Sequence, residues 1–282
     1  MKSPRVITIL NLKGGVGKTH TTWLIASVCQ ERAKRVLLID TDTQGNLSNS
    51  FLDPADHQPG VEMLFHPGSD TSIQRLIRAT AFSHIDLIPS GPALAPLDFS
   101  NQKEWEKADL HFSLVEAIKP LNDQYDYIVF DCPPRLSLVS FAALCASDAV
   151  IIPMEAADWG AQGIMQVTAA IEHVEKRYNE DLRLLGYVVS RFKKARAYQQ
   201  SYLRQLRAHF GLKAFDTVLP DLAAFEKSVT DRIPITLHAR RSVAAGIARQ
   251  FFDEVERRAQ GVKSFRRRRC GQSIQPLARA AG

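Results

Sequence analysis

Lys13-Gly14-Gly15-Val16-Gly17-Lys18-Thr19 concentrates more chemistry than any other stretch of this chain. It follows the apolar run Val6-Ile7-Thr8-Ile9-Leu10 and precedes a helical pattern from Thr21 to Arg32. Glycines without a Cβ let successive backbone N–H groups turn inward around an anion. The N-terminus of the following helix adds the positive end of its dipole. Strand, glycines, Lys-Thr and helix in that order predict a phosphate-binding loop. Backbone groups from Gly14, Gly15, Val16 and Gly17 through His20 would line it, Lys18 would reach the β- and γ-phosphates, and Thr19 would hold Mg²⁺.

Two more apolar runs end in carboxylates. Arg35 to Ile39 leads into Asp40-Thr41-Asp42-Thr43-Gln44-Gly45-Asn46. It is apolar enough to be buried on both faces, as parallel strands are. Carboxylates at the carboxyl end of such a strand face the ligand crevice of an open α/β sheet, where one can orient an attacking water. Tyr125-Asp126-Tyr127-Ile128-Val129-Phe130 ends on Asp131-Cys132-Pro133-Pro134. Asp131 is placed to serve Mg²⁺, directly or through water, and the two prolines stiffen the chain behind it.

The glycine loop departs from the common pattern G-x-x-x-x-G-K-[ST], because Leu12 stands where the first glycine belongs and Lys13 opens the loop. This resembles the deviant Walker A motif of the ParA/MinD superfamily of ATPases. The Asp40–Asn46 segment is similar to the ParA switch I, with Thr43 where a proline is usual, and Asp131-Cys132-Pro133-Pro134 to its switch II. The resemblance implies catalytic roles for Lys13, Lys18 and Asp42. Lys13 would cross a dimer interface to the partner's nucleotide, and Asp42 would be the hydrolytic residue. His20 departs from the family, which carries Thr or Ser there; the backbone N–H survives but the hydroxyl does not. The cofactors implied are ATP and Mg²⁺.

Further elements must position these residues. Ala149 to Met154 reads as a fourth strand, followed by a helical pattern from Trp159 to Tyr178. Leu184 to Ser190 reads as a fifth, and a short sixth is expected around Val218-Leu219, ending at Pro220. By resemblance, the loops after these last two hold the adenine, with Pro220 packing on the base. Strands alternating with helical patterns predict an α/β fold, a doubly wound, mostly parallel twisted sheet flanked by helices.

The 282 residues suffice for a large core in one domain. No run of 18 apolar residues occurs, so no transmembrane segment is expected. Met1-Lys2-Ser3-Pro4 leads straight into the first strand, and no signal peptide is expected. Cys29, Cys132, Cys145 and Cys270 form no metal-binding spacing and suit a reducing cytoplasm. The net charge is +6, and Lys263, Arg266 to Arg269 and Arg279 account for all of it. The chain therefore divides into a neutral ATPase-like body, residues 1–258, and a basic, disordered tail, 259–282. Within the body, Arg191 to Phe210 holds six cations and no acid. Tyr198, Leu203, Leu206 and Phe210 mark a buried helix face, which leaves Lys193, Lys194, Arg196, Arg204 and Arg207 outward as candidate DNA contacts.

The leading functional expectation is an ATPase that forms a homodimer with ATP and binds DNA non-specifically. A ParB-like or other cargo adaptor would stimulate hydrolysis, and the protein would be cytoplasmic and nucleoid-associated. A MinD-like membrane-surface ATPase is the alternative, but its terminal amphipathic helix needs more apolar surface than Val262 and Phe265 provide. A metallocluster carrier resembling the nitrogenase iron protein lacks its glycine-flanked cysteines here. A non-catalytic nucleotide-gated DNA-binding module conflicts with intact Lys18, Asp42 and Asp131.

Overall fold

The computed structural model describes residues 5–66, 72–98, 109–156 and 161–262. Seven strands form one sheet: β1 (Arg5–Ile9), β2 (Val36–Asp40), β3 (Arg78–Ala79), β4 (Ile85–Ile88), β5 (Tyr127–Asp131), β6 (Ala149–Glu155) and β7 (Arg183–Ser190). The spatial order is β3-β4-β2-β5-β1-β6-β7. All neighbours run parallel except β3, which is antiparallel to β4. Crossover helices cover both faces, so the central strands are apolar throughout, and the core divides into two clusters, one on each side of the sheet. Alternation sorts the residues: Val6 and Leu10 go to one cluster, Ile7 and Ile9 to the other.

Register sets the site. Ile9 pairs with Asp131, and Asp131 pairs with Asp40, so β1, β5 and β2 end at one level. The three segments that follow them therefore emerge side by side at the carboxyl edge, where α/β folds hold ligands.

The structure corrects the expected strands in two respects. The edge pair β3–β4 was not anticipated, because His84-Ile85-Asp86-Leu87-Ile88 is short and only partly apolar. The sixth strand around Val218-Leu219 is not a strand. The segment makes two isolated bridges, Tyr187 with Ala214 and Phe192 with Pro220. It still follows β7 closely, with Phe215 N donating to Tyr187 O at 2.8 Å and Leu219 N to Val189 O at 2.8 Å.

Two helical expectations are also adjusted. The helix after β6 spans Ala161–Arg177, and Trp159 lies outside the described residues. In the helix Ala197–Phe210, Tyr198 is 46% exposed and not on the buried face. Gln199 takes the inward position, its Oε1 accepting from Lys193 N at 2.6 Å, and Leu206 is buried further along. The helix Val243–Arg258 closes the second face of the sheet, and Arg5 Nη1 donates to Val262 O at 2.8 Å just beyond it. The basic tail from Lys263 onward, for which disorder is expected, lies outside the described residues.

Candidate functional site

The phosphate loop is anchored at both ends. Asn11 Nδ2 donates to Pro153 O on β6 at 2.7 Å, and Asn11 Oδ1 accepts from Lys13 N at 3.0 Å. Gly17 heads the helix Lys18–Glu31 with φ 85°, a left-handed conformation that disfavours a side chain. A Cβ there would also lie 3.1 Å from Ser190 Oγ. No side chain caps this helix and its first turn holds no acid, which leaves its N-terminal N–H groups to an incoming anion. Lys18 is buried with Nζ donating to Lys13 O at 3.1 Å, so its ammonium lies across the loop. Burial pushes its pKa down, while Asp131 and Asp42 oppose that shift.

The two switch I carboxylates differ in employment. Asp40 is fully buried and accepts from Ser48 N at 2.8 Å, Ser48 Oγ at 2.7 Å and Asp42 N at 3.1 Å. It is a structural acceptor for the helix Asn46–Phe51, and burial raises its pKa to about 6. Among the described residues, the Asp42 carboxylate accepts from Gln44 N alone, at 3.1 Å, and Asp42 lines the large cavity beside Lys18. Its main chain is clamped by Ser90 Oγ, which donates to Asp42 O at 2.5 Å.

Asp131 is buried, and among the described residues neither carboxylate oxygen makes a hydrogen bond of good geometry, with the Thr19 hydroxyl as a polar neighbour. Burial pushes its pKa well up, Asp40 adds to that, and the Thr19 hydroxyl and Lys18 ammonium work against it. A buried carboxylate without a partner calls for a cation. Asp131 and Thr19 supply the hard oxygen donors that Mg²⁺ takes, with the remaining positions left to water and phosphate. Among the described residues no group of three or more His, Cys, Asp or Glu side chains could hold a metal ion. Thr41 ties switch I to this strand end, its Oγ1 donating to Asp131 O at 2.8 Å and its N at 3.0 Å.

These elements enclose a cavity of about 670 Å³ whose walls include Lys18, Thr19, Asp42, Arg191, Pro220 and Phe225. A family model described as an AAA domain matches residues 4–184. The chromosome partitioning protein ParA of Myxococcus xanthus is 32% identical over 84% of this chain and 83% of its own length. The chromosome-partitioning ATPase Soj of Thermus thermophilus is 33% identical over 91% and 97%. The chain belongs to the ParA family of ATPases. Among solved structures, cobyrinic acid a,c-diamide synthase of Mycobacterium smegmatis with bound ATP analog and magnesium superposes with a TM-score of 0.77, at 25% identity over 93% of this chain and 98% of that one. An ATP complex of Cyanothece McdA shares the fold at 20% identity over 98% of this chain and 100% of that one, with a TM-score of 0.77.

Within this ParA-family site, the predicted residues fall in three places. Gly14, Gly15, Gly17, Lys18, Thr19 and Asp42 all border the cavity, whereas Val16 is buried behind it. Pro220 lies on the same wall with Asp221 and Leu222, on the segment that follows β7. His20 packs edge-on against Phe225, with ring centroids 4.7 Å apart. Burial, aided by Arg191, lowers its pKa to about 4, so its ring is neutral at pH 7 and serves as a wedge between the loop helix and the helix Ala223–Thr230. Lys13 turns toward the end of β6, its Nζ lying 3.7 Å from Glu155 Oε2.

The candidate DNA residues are exposed and differently engaged. Lys193 pairs with Asp221 on the cavity wall at 2.9 Å, Arg196 Nη1 donates to the Tyr198 hydroxyl at 2.8 Å, and Arg207 Nη2 donates to Asp216 O at 2.9 Å. Lys194 and Arg204 project to solvent. Sequence reasoning missed Asn11, Ser90 and Phe225, whose roles depend on partners more than 40 residues away. It also grouped Arg191 with the cationic stretch, but the structure places its side chain at the phosphate loop.

Proposed function

We propose that this ParA-family protein is a Mg²⁺-dependent ATPase that dimerises around ATP, binds DNA without sequence preference, and positions a cargo on the nucleoid with the help of a ParB-like or other adaptor that stimulates hydrolysis. The observation that carries the reading is the shared level of the β1, β5 and β2 ends, which brings the glycine loop and Asp42 to one cavity, with Asp131 buried at the neighbouring strand end. The names of the relatives, chromosome partitioning proteins from several bacteria, support the cargo-positioning part.

The chain's own groups divide the work. The N–H groups at the Lys18–Glu31 helix start bind phosphate oxygens, and Lys18 leaves Lys13 O to neutralise charge on the transferring group. Asp131 and Thr19 would hold Mg²⁺, which would supply positive charge to offset that of the phosphates. Asp42, with a single internal hydrogen bond, is available to orient the attacking water. By resemblance to the family, Lys13 reaches the partner's nucleotide; its side chain, 44% exposed, would leave Glu155 to do so. Two assembled protomers double the cationic surface of Lys194, Arg196 and Arg204, which ties DNA affinity to ATP.

Gel filtration with Mg²⁺-ATP tests the dimer arm. Lys18→Ala abolishes ATP binding, and Lys13→Ala retains binding but stays monomeric. A Lys13→Ala protein that dimerises normally refutes the trans-acting role.

A further inference from the structure

Arg191 is the residue whose placement the site description leaves unexplained. It follows directly on β7, and its backbone has φ 51°, in the left-handed region that costs a non-glycine residue energy. Its neighbours hold that turn in place. Ser190 Oγ donates to Val16 O, and Phe192 N donates to Leu219 O at 3.1 Å. The result is that the side chain folds back over the phosphate loop, where Nη1 donates to Gly15 O at 3.0 Å. Among the described residues its guanidinium meets no carboxylate at ion-pair distance, unlike Lys193 two residues on. A guanidinium carries several N–H donors in a fixed fork, and among the described residues Gly15 O engages one of them. Arg191 also lines the cavity.

The geometry points to Arg191 as a ligand of the nucleotide's phosphate chain, supplied within the same protomer from the exit of β7. Guanidinium and phosphate match in charge and in planar, two-point hydrogen bonding. The contact to Gly15 O is a resting position: Gly15 lies in the middle of the loop, so a small rotation of the side chain exchanges that carbonyl for a phosphate oxygen. Local backbone strain at a ligand site fits a residue held for where its side chain must reach. This inference rests on the nucleotide-binding reading above.

Glycine offers a decisive substitution. It adopts φ 51° without strain, so Arg191→Gly removes the guanidinium while relieving the backbone. The full-length protein is titrated with Mg²⁺-ATP, Mg²⁺-ADP and adenosine, alongside Arg191→Gly, Arg191→Lys and Lys18→Ala, with thermal unfolding recorded for each. The expected result is a loss of ATP affinity of about 10- to 100-fold in Arg191→Gly, as for a charge-assisted hydrogen bond. Adenosine affinity stays unchanged, the unfolding temperature is equal or higher, and Arg191→Lys recovers part of the loss. Wild-type ATP affinity in Arg191→Gly overturns the inference while leaving the nucleotide reading intact. An equal loss for adenosine and ATP also overturns it, by placing the guanidinium on the base. If wild type itself binds ATP no better than Lys18→Ala, the nucleotide reading fails first.

Discussion

Replacing Asp42 with alanine separates catalysis from folding more cleanly than any other change in this site. Its carboxylate receives one internal hydrogen bond, from Gln44 N at 3.1 Å. Losing that bond costs about 0.5–1.5 kcal/mol. Two charge effects oppose each other: removing Asp42 relieves Asp40 and Asp131, whose pKa values it raises, but takes a favourable neighbour from the buried Lys18. The unfolding midpoint should therefore move by no more than about 2–4 °C. Turnover should fall by about 10²- to 10⁴-fold, the usual contribution of a positioned proton acceptor. Phosphate contacts come from the glycine loop and Lys18, so ATP affinity should hold and the ATP-bound protein should accumulate on DNA. Phosphate release with Mg²⁺-ATP, DNA and adaptor, read beside thermal unfolding, measures both quantities. Asp40→Ala supplies the contrast. It leaves Ser48 N, Ser48 Oγ and Asp42 N without their acceptor, which costs roughly 1–3 kcal/mol for each group that stays buried. Unchanged turnover in Asp42→Ala, or a larger stability loss than in Asp40→Ala, would show that Asp42 is a turn residue.

Other outcomes follow from the same geometry. His20 has a folded pKa lowered to about 4, so its contribution is present above its unfolded value near 6.5 and is lost as pH falls toward 4. His20→Thr should therefore unfold less readily than wild type on acidification across that window, by on the order of 3 kcal/mol at its lower end; parallel pH–stability curves for the two proteins would contradict this. The change Lys194→Glu, Arg196→Glu and Arg204→Glu should abolish ATP-dependent DNA binding. Lys193 is left out because its partner Asp221 lines the nucleotide cavity. Deleting residues 263–282 should weaken DNA binding without removing its ATP requirement, as anisotropy titrations at two salt concentrations would show. Intact ATP-dependent binding in the triple variant, with loss in the truncation, would reverse the assignment of surfaces.

Local chemistry is legible wherever a few adjacent residues suffice. Lys13 to Thr19 forms a phosphate loop because glycine conformations and a helix start are neighbours in the chain. Apolar runs ending in Asp40-Thr41-Asp42 and Asp131 declare buried parallel strands with ligand-facing ends. What the sequence leaves open is which of two carboxylates is available. Asp40 and Asp42 are alike in one dimension, and only the packing of Ser48 under Asp40 consumes one of them. The same holds for Arg191, a member of a cationic stretch by composition and a neighbour of Gly15 by the turn after β7. It holds for Tyr198 too, where helical periodicity named the right helix but Gln199 won the inward position by meeting Lys193 N. Amino-acid order sets conformational preferences over a few residues. Hydrogen-bond partners and charge environments arise between residues far apart in the chain, and only the folded sheet, with its β1, β5 and β2 ends aligned, decides them.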